Sequence, residues 1–524
     1  MNSVRTFFLI VVLFATAGLA PAASAQVKLA SLFSDHMVLQ SGVSVPIWGT
    51  AEPAEKVTIR FNRQTRSATA DASGKWMLRL SKLKPGGPFQ MTIAGNKIGE
   101  APVVVKDVLV GEVWLGSGQS NMDFTVAKTT RHYFAGVNNE EQEVAAANYP
   151  NVRMFMGAWK NSYEPQTEVD GTWLVVSPEN VREMSAIGYL FARDMQKELK
   201  VPFGIITEAF GASTAEAWTS RDALAAETQL APLLADFDAK VTAYKKSPPD
   251  MTAALKRWEE AAAKAKADGK TAPRRPGSGN PVQDQHNPTV MYNGMIAPVI
   301  PYAIKGVLWY QGEAINGGAT GYRLYPLLQS TLIKDWRKRW GEGDFPFYVC
   351  QLAPLKSWPN RPDTWYNNPD VREAQATVLA IPNTGMAVTI DIGDPVNIHP
   401  KNKQDVADRL ARIALAKTYG RKIEYSGPIY DSMTTEGNAI RIHFTHSGGG
   451  LVAKAGDLKT FTIAGKDGRF VPATARIDRD TLVVSSTEIP EPASVRYAWD
   501  NYPEGANLYN AEGLPAAPFR TDRN

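Results

Sequence analysis

The sequence has little cysteine, little net charge and few long apolar runs. Its 524 residues include one cysteine, Cys350, which excludes an internal disulfide framework and a cysteine-based metal cluster. The 57 basic and 53 acidic side chains nearly balance, so no basic surface for nucleic acid is expected. There is no H-E-x-x-H motif, and we predict neither a metal site nor a cofactor. With 44% apolar and 21% charged residues, the composition is that of a globular protein with several domains.

The longest apolar run lies near the N-terminus. Arg5 precedes the apolar residues 7–14, and the Ala-Ser-Ala sequence at residues 23–25 is typical of a cleavage site before Gln26. The run is too short to span a bilayer. We therefore expect residues 1–25 to be a signal peptide and the mature protein to be secreted or periplasmic, with no membrane contact after cleavage. A retained N-terminal anchor is the alternative.

Hydrophobic patterning divides the rest of the chain into three regions. Residues 26–107 contain short alternating runs separated by turn residues, which predicts an N-terminal β domain resembling a small β-sandwich. In residues 108–420, continuous apolar runs alternate with helical patterns, which predicts an α/β domain with a parallel sheet. Within it, the alanine- and lysine-rich residues 222–284 indicate a solvated helical insertion. Residues 421–524 return to strand-like patterns and predict a C-terminal β domain.

Ser120 is the first candidate for a catalytic residue. It follows the buried run at 108–116, at the point where an α/β sheet presents its loops to a ligand. A serine at such a turn exposes its hydroxyl, and the backbone N–H groups that begin the next helix are available to a developing oxyanion. A helix-capping serine is the structural alternative. The segment is not the G-x-S-x-G elbow of α/β-hydrolases, because position 122 is methionine.

Among six histidines, His399 is the best candidate for the base that a nucleophilic serine requires. It follows a predicted strand at 386–391 and precedes residues whose apolar positions recur at helical spacing. Asp391 and Asp394 lie a few residues upstream, and either carboxylate could accept a hydrogen bond from one ring nitrogen. His132 and His286 lie in irregular segments, and only His286 has a carboxylate close by in sequence, Asp284. A structural histidine is the alternative for His399.

Several ordered motifs resemble those of the sialate O-acetylesterase group, carbohydrate esterases of the SGNH hydrolase superfamily. The principal segments are Gly-Gln-Ser-Asn-Met at 118–122, Trp-Tyr-Gln-Gly-Glu at 309–313 and Ile-His-Pro-Lys-Asn-Lys-Gln at 398–404. Further similar blocks occur at 292–296, 372–375, 495–499 and 507–510. The likeness spans nearly the whole mature chain except the insertion. It implies a three-layer SGNH-hydrolase-like α/β domain flanked by β-sandwich-like units.

The resemblance also implies roles for individual residues. Ser120 would be the nucleophile and His399 the general base. The oxyanion would be held by the Ser120 backbone N–H, the side-chain amide of Gln311 and a backbone N–H in the segment 210–213. Family members usually have two glycines in that segment, whereas this chain has Gly211 and Ala212. Either residue could be the donor, and we favour Gly211.

The acidic member of the triad departs from the superfamily pattern. The wider superfamily often has aspartate three residues before the histidine, a position occupied here by Val396. We predict Asp394 as the acid, with Asp391 as the alternative, and a Ser-His dyad also fits the sequence. Glu313 could orient Gln311 or belong to a buried network.

The substrate class implied by the resemblance is an acetylated oligo- or polysaccharide. Acetylated hemicellulose such as xyloglucan oligosaccharides and O-acetylated sialic acid both fit, and an exported enzyme with flanking β units favours the polysaccharide. The alternatives are a non-catalytic carbohydrate-binding surface protein on the same scaffold, and a lipase or peptidase. Aromatic side chains pack against sugar rings but are more often core residues; the candidates are Trp218, Trp309, Tyr310, Trp358 and Trp365.

Overall fold

The computed structural model describes most of the chain. The described residues are 27–97, 99–130, 132–270, 272–273, 275–317, 321–356 and 367–522. The predicted signal peptide, Trp358 and Trp365 lie outside these residues. No helix within the described ranges combines the length and apolar character needed to cross a bilayer.

The N-terminal unit consists of short strands with alternating burial, as the sequence pattern predicts. In β4, Val57, Ile59 and Phe61 face the core while their neighbours are more exposed. One antiparallel sheet has the order β1-β3-β6, and β4 pairs with β5 and β7 in a second sheet. The strands are β1 Lys28–Leu29, β2 Val38–Gln40, β3 Val45–Thr50, β4 Lys56–Phe61, β5 Gln64–Thr69, β6 Lys75–Leu80 and β7 Gly86–Ala94.

A single long strand, β8 (Val103–Gly118), connects this unit to the α/β domain. Its first part pairs antiparallel with β7, and its last residues pair with parallel strands of the central sheet. The domain boundary predicted at 107/108 therefore lies inside a continuous strand. Every residue from 108 to 118 is buried, which explains the uninterrupted apolar run in the sequence.

The central sheet has the strand order β10-β9-β11-β8-β12-β13-β14, and all its neighbours are parallel except β10 and β9. Alternation along β12 sends Val307 and Trp309 to one face and Leu308 and Tyr310 to the other, and all four side chains are buried. Both faces are therefore covered. The strands are β9 Tyr149–Gly157, β10 Gly171–Val176, β11 Phe203–Ala209, β12 Gly306–Tyr310, β13 Phe347–Cys350 and β14 Thr384–Ala387.

Helices lie on both faces of this sheet. Residues of α3 and α9 pack on one face with Leu308 and Tyr310, while α7 places Trp336 against Trp309 on the other, with ring centroids 5.8 Å apart. The predicted insertion, 222–284, contains α5, α6 and all of α4 except its first residue. The prediction of a solvated face holds for α6, which buries no residue, whereas α5 buries Leu234, Phe237 and Val241. The helices are α1 Ser120–Asp123, α2 Glu140–Ala145, α3 Ala186–Leu199, α4 Arg221–Ala226, α5 Ala231–Lys246, α6 Thr252–Ala267, α7 Gly321–Trp340, α8 Asn368–Ala376 and α9 Lys403–Ile413.

The C-terminal unit is built of antiparallel strands that dock on the α/β domain. Two four-stranded sheets have the orders β15-β16-β21-β20 and β19-β18-β22-β24, and β17 pairs with β23. The buried Arg372 of α8 donates hydrogen bonds to the backbone carbonyls of Asp500 and Asn501. The strands are β15 Ile429–Glu436, β16 Ala439–Thr445, β17 Leu451–Ala453, β18 Phe461–Ala464, β19 Val471–Pro472, β20 Thr474–Asp478, β21 Thr481–Ser485, β22 Ser494–Tyr497, β23 Leu508–Asn510 and β24 Phe519–Arg520.

Candidate active site

Ser120 lies at the end of the central strand β8, where the chain turns tightly into α1. Gly118 has a φ of +131°, and a Cβ at this position would lie 2.1 Å from the carbonyl oxygen of Tyr310. Only glycine allows β8 and β12 to approach this closely in that conformation. The Gln119 backbone N–H donates to the Tyr310 carbonyl at 2.9 Å and fixes the turn. Ser120 is therefore held at the carboxyl edge of the sheet, with 9% of its surface exposed.

The structure brings His399 to Ser120 across 279 positions of sequence. The distance between His399 Nε2 and Ser120 Oγ is 2.8 Å, which is hydrogen-bonding distance. The backbone N–H of His399 donates to Asn397 Oδ1 at 2.9 Å, and the imidazole stacks on Phe134 with ring centroids 4.3 Å apart and planes 28° apart. The predicted serine and histidine thus have the geometry of a nucleophile and its base.

The environment of His399 favours its neutral form. Burial is the main cause, because it disfavours the charged imidazolium, and the positive charge of Lys403 adds to the effect. Together they lower the pKa of His399 to about 3. A neutral imidazole can accept a proton from Ser120, so the resting protonation state at neutral pH is that of a base.

The two aspartates considered for the triad have other partners. Asp394 Oδ1 accepts hydrogen bonds from the backbone N–H groups of Val396 and Asn397, both at 2.9 Å. In the described parts of the chain, no carboxylate accepts a hydrogen bond from the ring of His399. Asp394 shapes the turn before the histidine, and a triad built on it would need this turn to rearrange.

Asp391 takes part in a separate ion pair. Both of its carboxylate oxygens accept hydrogen bonds from Arg409 at 2.7 Å, and Tyr509 donates to Oδ2 at 3.0 Å. A bidentate pair of this kind, with an additional hydroxyl donor, occupies the carboxylate fully. Asp391 therefore joins α9 and the C-terminal unit instead of orienting His399.

Gly211 lies directly beside Ser120. A Cβ at Gly211 would lie 3.7 Å from the Cβ of Ser120. Ala212 follows with a φ of +58°, a left-handed conformation that costs a non-glycine residue roughly 1–2 kcal/mol. This conformation explains why a second glycine suits the position. Within the described residues, the backbone N–H groups of Ser120, Gly211 and Ala212 make no hydrogen bond, which leaves them available to an oxyanion.

Gln311 is completely buried next to this segment. Its Nε2 donates to the Ser213 carbonyl at 3.3 Å, and its Oε1 accepts from the Tyr325 hydroxyl at 2.8 Å. Gln375 Nε2 donates to the Gln311 backbone carbonyl at 2.9 Å. These contacts fix the amide in one orientation. Because a primary amide has two N–H donors, one remains for a ligand.

A buried polar network lies beside the serine and histidine, and sequence reasoning considered only Glu313 among its members for such a role. Asn121 Nδ2 donates to Glu313 Oε1 and to the Ile398 carbonyl, and Lys403 Nζ donates to Asn121 Oδ1 at 2.8 Å. Lys403 Nζ also donates to the Pro400 carbonyl at 2.5 Å. Glu313 thus belongs to a buried network and makes no hydrogen bond to the side chain of Gln311. A sequence signal was present, because each of the three polar residues lies within four positions of a predicted site residue and in the same motif.

Burial perturbs both ionisable members of this network. It lowers the pKa of Lys403 to about 7, and the nearby Glu313 partly opposes that shift. Burial raises the pKa of Glu313, while the hydrogen bond from Asn121 and the charge of Lys403 favour its ionised form. The network therefore places a cation near His399 that is charged under acidic conditions.

His132 was set aside in the sequence analysis because no carboxylate is close to it in sequence. The structure pairs its Nε2 with Asp123 Oδ2 at 3.0 Å, and both side chains are nearly fully buried. Asp123 belongs to α1, the same short helix as Ser120. Glu208 lies near Asp123, and burial raises the pKa of Glu208 well above its usual value. The nine-residue separation of His132 from Asp123 gave no local signal for this pair.

The aromatic residues proposed from sequence as sugar contacts belong to the core. Trp218, Trp309 and Tyr310 have at most 1% of their surface exposed, so their rings offer no open face on which a sugar could stack. Exposed aromatic side chains near His399 are different ones, notably Tyr133 and Trp159. Sequence alone could not separate them from core residues.

Comparisons with known proteins agree with this geometry. A family model described as carbohydrate esterase, sialic acid-specific acetylesterase, matches residues 276–416. The human sialate O-acetylesterase is 30% identical over 539 residues, which cover 94% of this chain and 92% of that protein. The chain belongs to the sialate O-acetylesterase family. The mouse sialate O-acetylesterase is 29% identical over 554 residues, with 97% of each chain covered.

A solved structure extends the family likeness to the whole fold. The crystal structure of a carbohydrate acetylesterase from Xanthomonas citri is 34% identical, with a TM-score of 0.78, and covers 95% of this chain and 100% of that one. The family is one of carbohydrate O-acetylesterases, and this chain has its enzymatic class. The family model includes Gln311, His399 and Lys403 but begins after Ser120 and Gly211, which are covered by the full-length relatives.

Proposed function

We propose that this sialate O-acetylesterase family member removes acetyl groups from carbohydrate through an acetyl-enzyme formed on Ser120. The observation that carries the proposal is the 2.8 Å contact between Ser120 Oγ and His399 Nε2, at the edge of the sheet and beside Gly211. Burial lowers the pKa of His399, so the ring is neutral before reaction and free to accept a proton, while the same burial disfavours the imidazolium that follows.

In the acylation step, Ser120 Oγ attacks the acetyl carbonyl carbon while His399 Nε2 accepts the hydroxyl proton. The carbonyl oxygen becomes an oxyanion, which the backbone N–H groups of Ser120 and Gly211 and the remaining Nε2 proton of Gln311 stabilise. Collapse of this intermediate breaks the ester C–O bond, and the imidazolium returns the proton to the departing sugar oxygen. The products are a free sugar hydroxyl and the acetyl-serine.

Deacylation repeats the same transfers with water. His399 takes a proton from a water molecule, whose oxygen attacks the acetyl carbonyl carbon, and then returns the proton to Ser120 Oγ as acetate leaves. The resting structure supports a dyad for these steps, since Asp394 caps its own turn. Stacking of Phe134 on the imidazole holds the ring plane and favours the transient imidazolium through a cation–π interaction.

We further propose acetylated hemicellulose, such as xyloglucan oligosaccharides, as the substrate. The N- and C-terminal β units favour a polysaccharide substrate, and the likeness to the Xanthomonas citri carbohydrate acetylesterase supports a carbohydrate ester in general. The curated mammalian relatives act on sialate O-acetyl esters by name, which makes O-acetylated sialic acid the competing substrate. Wild-type protein should release more acetate from acetylated xyloglucan oligosaccharides than from O-acetylated sialic acid. The reverse preference would overturn this assignment.

The proposed chemistry is tested with Ser120→Ala. The variant should fold normally and release no acetate from either sugar ester or from 4-nitrophenyl acetate, and a serine-directed phosphonate should label only the wild type. A scaffold that only binds carbohydrate would hydrolyse none of these esters even as wild type. Activity retained by Ser120→Ala would remove the serine from the mechanism.

Two further proposals concern the superfamily of the fold and the cellular location of the protein. Helices on both faces of a parallel sheet, with the serine after the central strand and the histidine after the edge strand, support assignment to the SGNH hydrolase superfamily. The pattern of residues 1–25 supports secretion or a periplasmic location. Mass spectrometry of the protein recovered outside the cytoplasm should give an N-terminus at Gln26.

A further inference from the structure

A row of aromatic rings begins at the catalytic histidine. Phe134 stacks on His399 at 4.3 Å, and Tyr133 contacts Phe134 edge-on with ring centroids 5.7 Å apart. Phe134 also contacts His132, at 5.8 Å. The imidazole of the base therefore lies at one end of an aromatic surface.

The row ends next to the oxyanion segment. Trp159 contacts His132 at 5.7 Å and Phe210 at 5.1 Å. Phe210 immediately precedes Gly211, the residue beside Ser120. The rings thus follow one side of the catalytic pair from its base to its nucleophile. We call this set the aromatic wall: Tyr133, Phe134, Trp159 and Phe210.

Two members of the aromatic wall are unusually exposed. Tyr133 has 73% of its surface exposed and Trp159 has 40%, whereas Trp218 and Trp309 have no more than 1%. Val396, three residues before His399, is also 62% exposed. Large apolar side chains left exposed around a reactive pair are typical of a binding surface, because burying them in the free protein would have been favourable.

The wall has a rigid support. His132, which contacts both Phe134 and Trp159, is held by Asp123 at 3.0 Å, and both side chains are at least nine-tenths buried. Since Asp123 and Ser120 lie in the same short helix, the hydrogen bond between Asp123 and His132 fixes the position of Trp159 relative to Ser120. A preorganised aromatic face binds a ligand at lower entropic cost than a flexible one.

Such a surface suits a sugar ring. The C–H face of a pyranose packs on a flat aromatic ring, and the Tyr133 hydroxyl can bond a sugar hydroxyl at its edge. We propose that Trp159 and Tyr133 form a subsite that binds a pyranose ring of the acetylated carbohydrate by stacking. The inference rests on the proposed function, since it places the sugar beside the acetyl group that Ser120 attacks. The subsite makes the enzyme select sugar esters over simple acetyl esters.

The test compares two substrates in each variant. We expect Trp159→Ala to lower kcat/KM for acetylated xyloglucan oligosaccharides at least about tenfold more than kcat/KM for 4-nitrophenyl acetate, which has no pyranose ring. Tyr133→Ala should shift the same ratio in the same direction, and Trp159→Phe should restore most of it. If the wild type releases acetate only from O-acetylated sialic acid, the same comparison is made with that ester in place of the xyloglucan oligosaccharide.

The matched control is Trp258→Ala, in the helical insertion. Trp258 is a partly exposed tryptophan that donates to the Pro273 carbonyl and packs under Arg275, within the insertion and not in the aromatic wall. Trp258→Ala should leave both kcat/KM values unchanged. A ratio that also stays constant in Trp159→Ala, whether or not both activities fall together, would overturn the subsite.

Binding gives an independent measurement when a variant loses activity on both substrates. By calorimetry, Ser120→Ala should bind the acetylated oligosaccharide about tenfold more tightly than Ser120→Ala combined with Trp159→Ala. Equal affinity in the two proteins would contradict the proposal. Failure of wild-type protein to hydrolyse any of the esters would instead refute the proposed function, so the two outcomes are distinguishable.

Discussion

The acidic side of the pH profile offers a direct test of the environment around His399. A histidine with its ordinary pKa near 6.5 would be only ~3% neutral at pH 5. With the pKa lowered to about 3, the same ring is ~99% neutral at that pH. Because the base must be neutral to accept the Ser120 proton, kcat/KM at pH 5 should stay within about twofold of its value at pH 7.

The assay is hydrolysis of 4-nitrophenyl acetate from pH 4 to pH 8, with Ser120→Ala as the background. Folding must be followed in parallel by tryptophan fluorescence. Between pH 6.5 and 3 the unfolded chain binds more protons at this histidine than the folded one, so stability falls as the pH falls through that range. A loss of kcat/KM of roughly 25-fold between pH 7 and 5, the value for a pKa of 6.5, in protein that remains folded would refute the reasoning.

A charge variant separates the two causes of the low pKa. Lys403→Met removes the nearby cation but leaves the burial, so the acidic limb should move to higher pH while remaining below 6.5. Lys401→Met, an exposed lysine in the same segment, should leave the limb unchanged. If the acidic limb of the pH profile stays in place in folded Lys403→Met, the lowered pKa of His399 is due to burial alone.

Three further substitutions have defined outcomes. Asp394→Asn keeps the Oδ1 atom that accepts the hydrogen bonds of its turn. In steady-state assays, a Ser-His dyad predicts a kcat within about threefold of wild type, whereas an Asp394 that acts as the triad acid predicts a loss of kcat of about 10⁴. Gln311→Ala should lower kcat about a hundredfold or more, near 3 kcal/mol of transition-state stabilisation, in protein that still folds. Its urea midpoint should fall as well, because the buried Tyr325 hydroxyl loses the Gln311 side-chain acceptor. Full activity would remove Gln311 from the mechanism. Gly118→Ala places a methyl carbon 2.1 Å from the Tyr310 carbonyl oxygen, and urea unfolding should show a loss of at least about 3 kcal/mol; wild-type stability would contradict the close approach of β8 and β12.

Much of the scaffold was predictable because apolar patterning reports burial directly. The run at 108–116 became β8, and the helical spacing of Val406, Leu410 and Ile413 became α9. The strand β8 ends at the carboxyl-terminal edge of the sheet, and α9 begins after His399 at the same edge. This is why Ser120 and His399 could be proposed together. The domain boundary was harder to predict from sequence. The strand β8 is shared by two units, and the chain does not change direction at 107/108.

The partners of charged side chains were much harder to predict. Asp394 lies close to His399 in sequence, yet its carboxylate bonds the backbone of its own turn, a local competitor that is common for aspartate. Asp391 is taken by Arg409, 18 residues later in sequence. The pairing of His132 with Asp123 likewise depends on how the loop after α1 folds back. Spacing gives proximity along the chain but not the direction in which a side chain points.

The buried network helps to hold Ser120 and His399, which are distant in sequence, at hydrogen-bonding distance. Asn121 directly follows the nucleophile, Glu313 comes two residues after Gln311, and Lys403 comes four residues after His399. The Asn121 side chain bonds Glu313 in the loop after β12, and it also bonds the Ile398 carbonyl just before His399. Lys403, the first residue of α9, donates to the same Asn121 side chain. Burying such ions costs free energy, so the network is weak evidence for stability and better evidence for a fixed geometry. With no carboxylate bonded to the His399 ring in the described chain, this network and the Phe134 stack are the contacts that hold the base against Ser120.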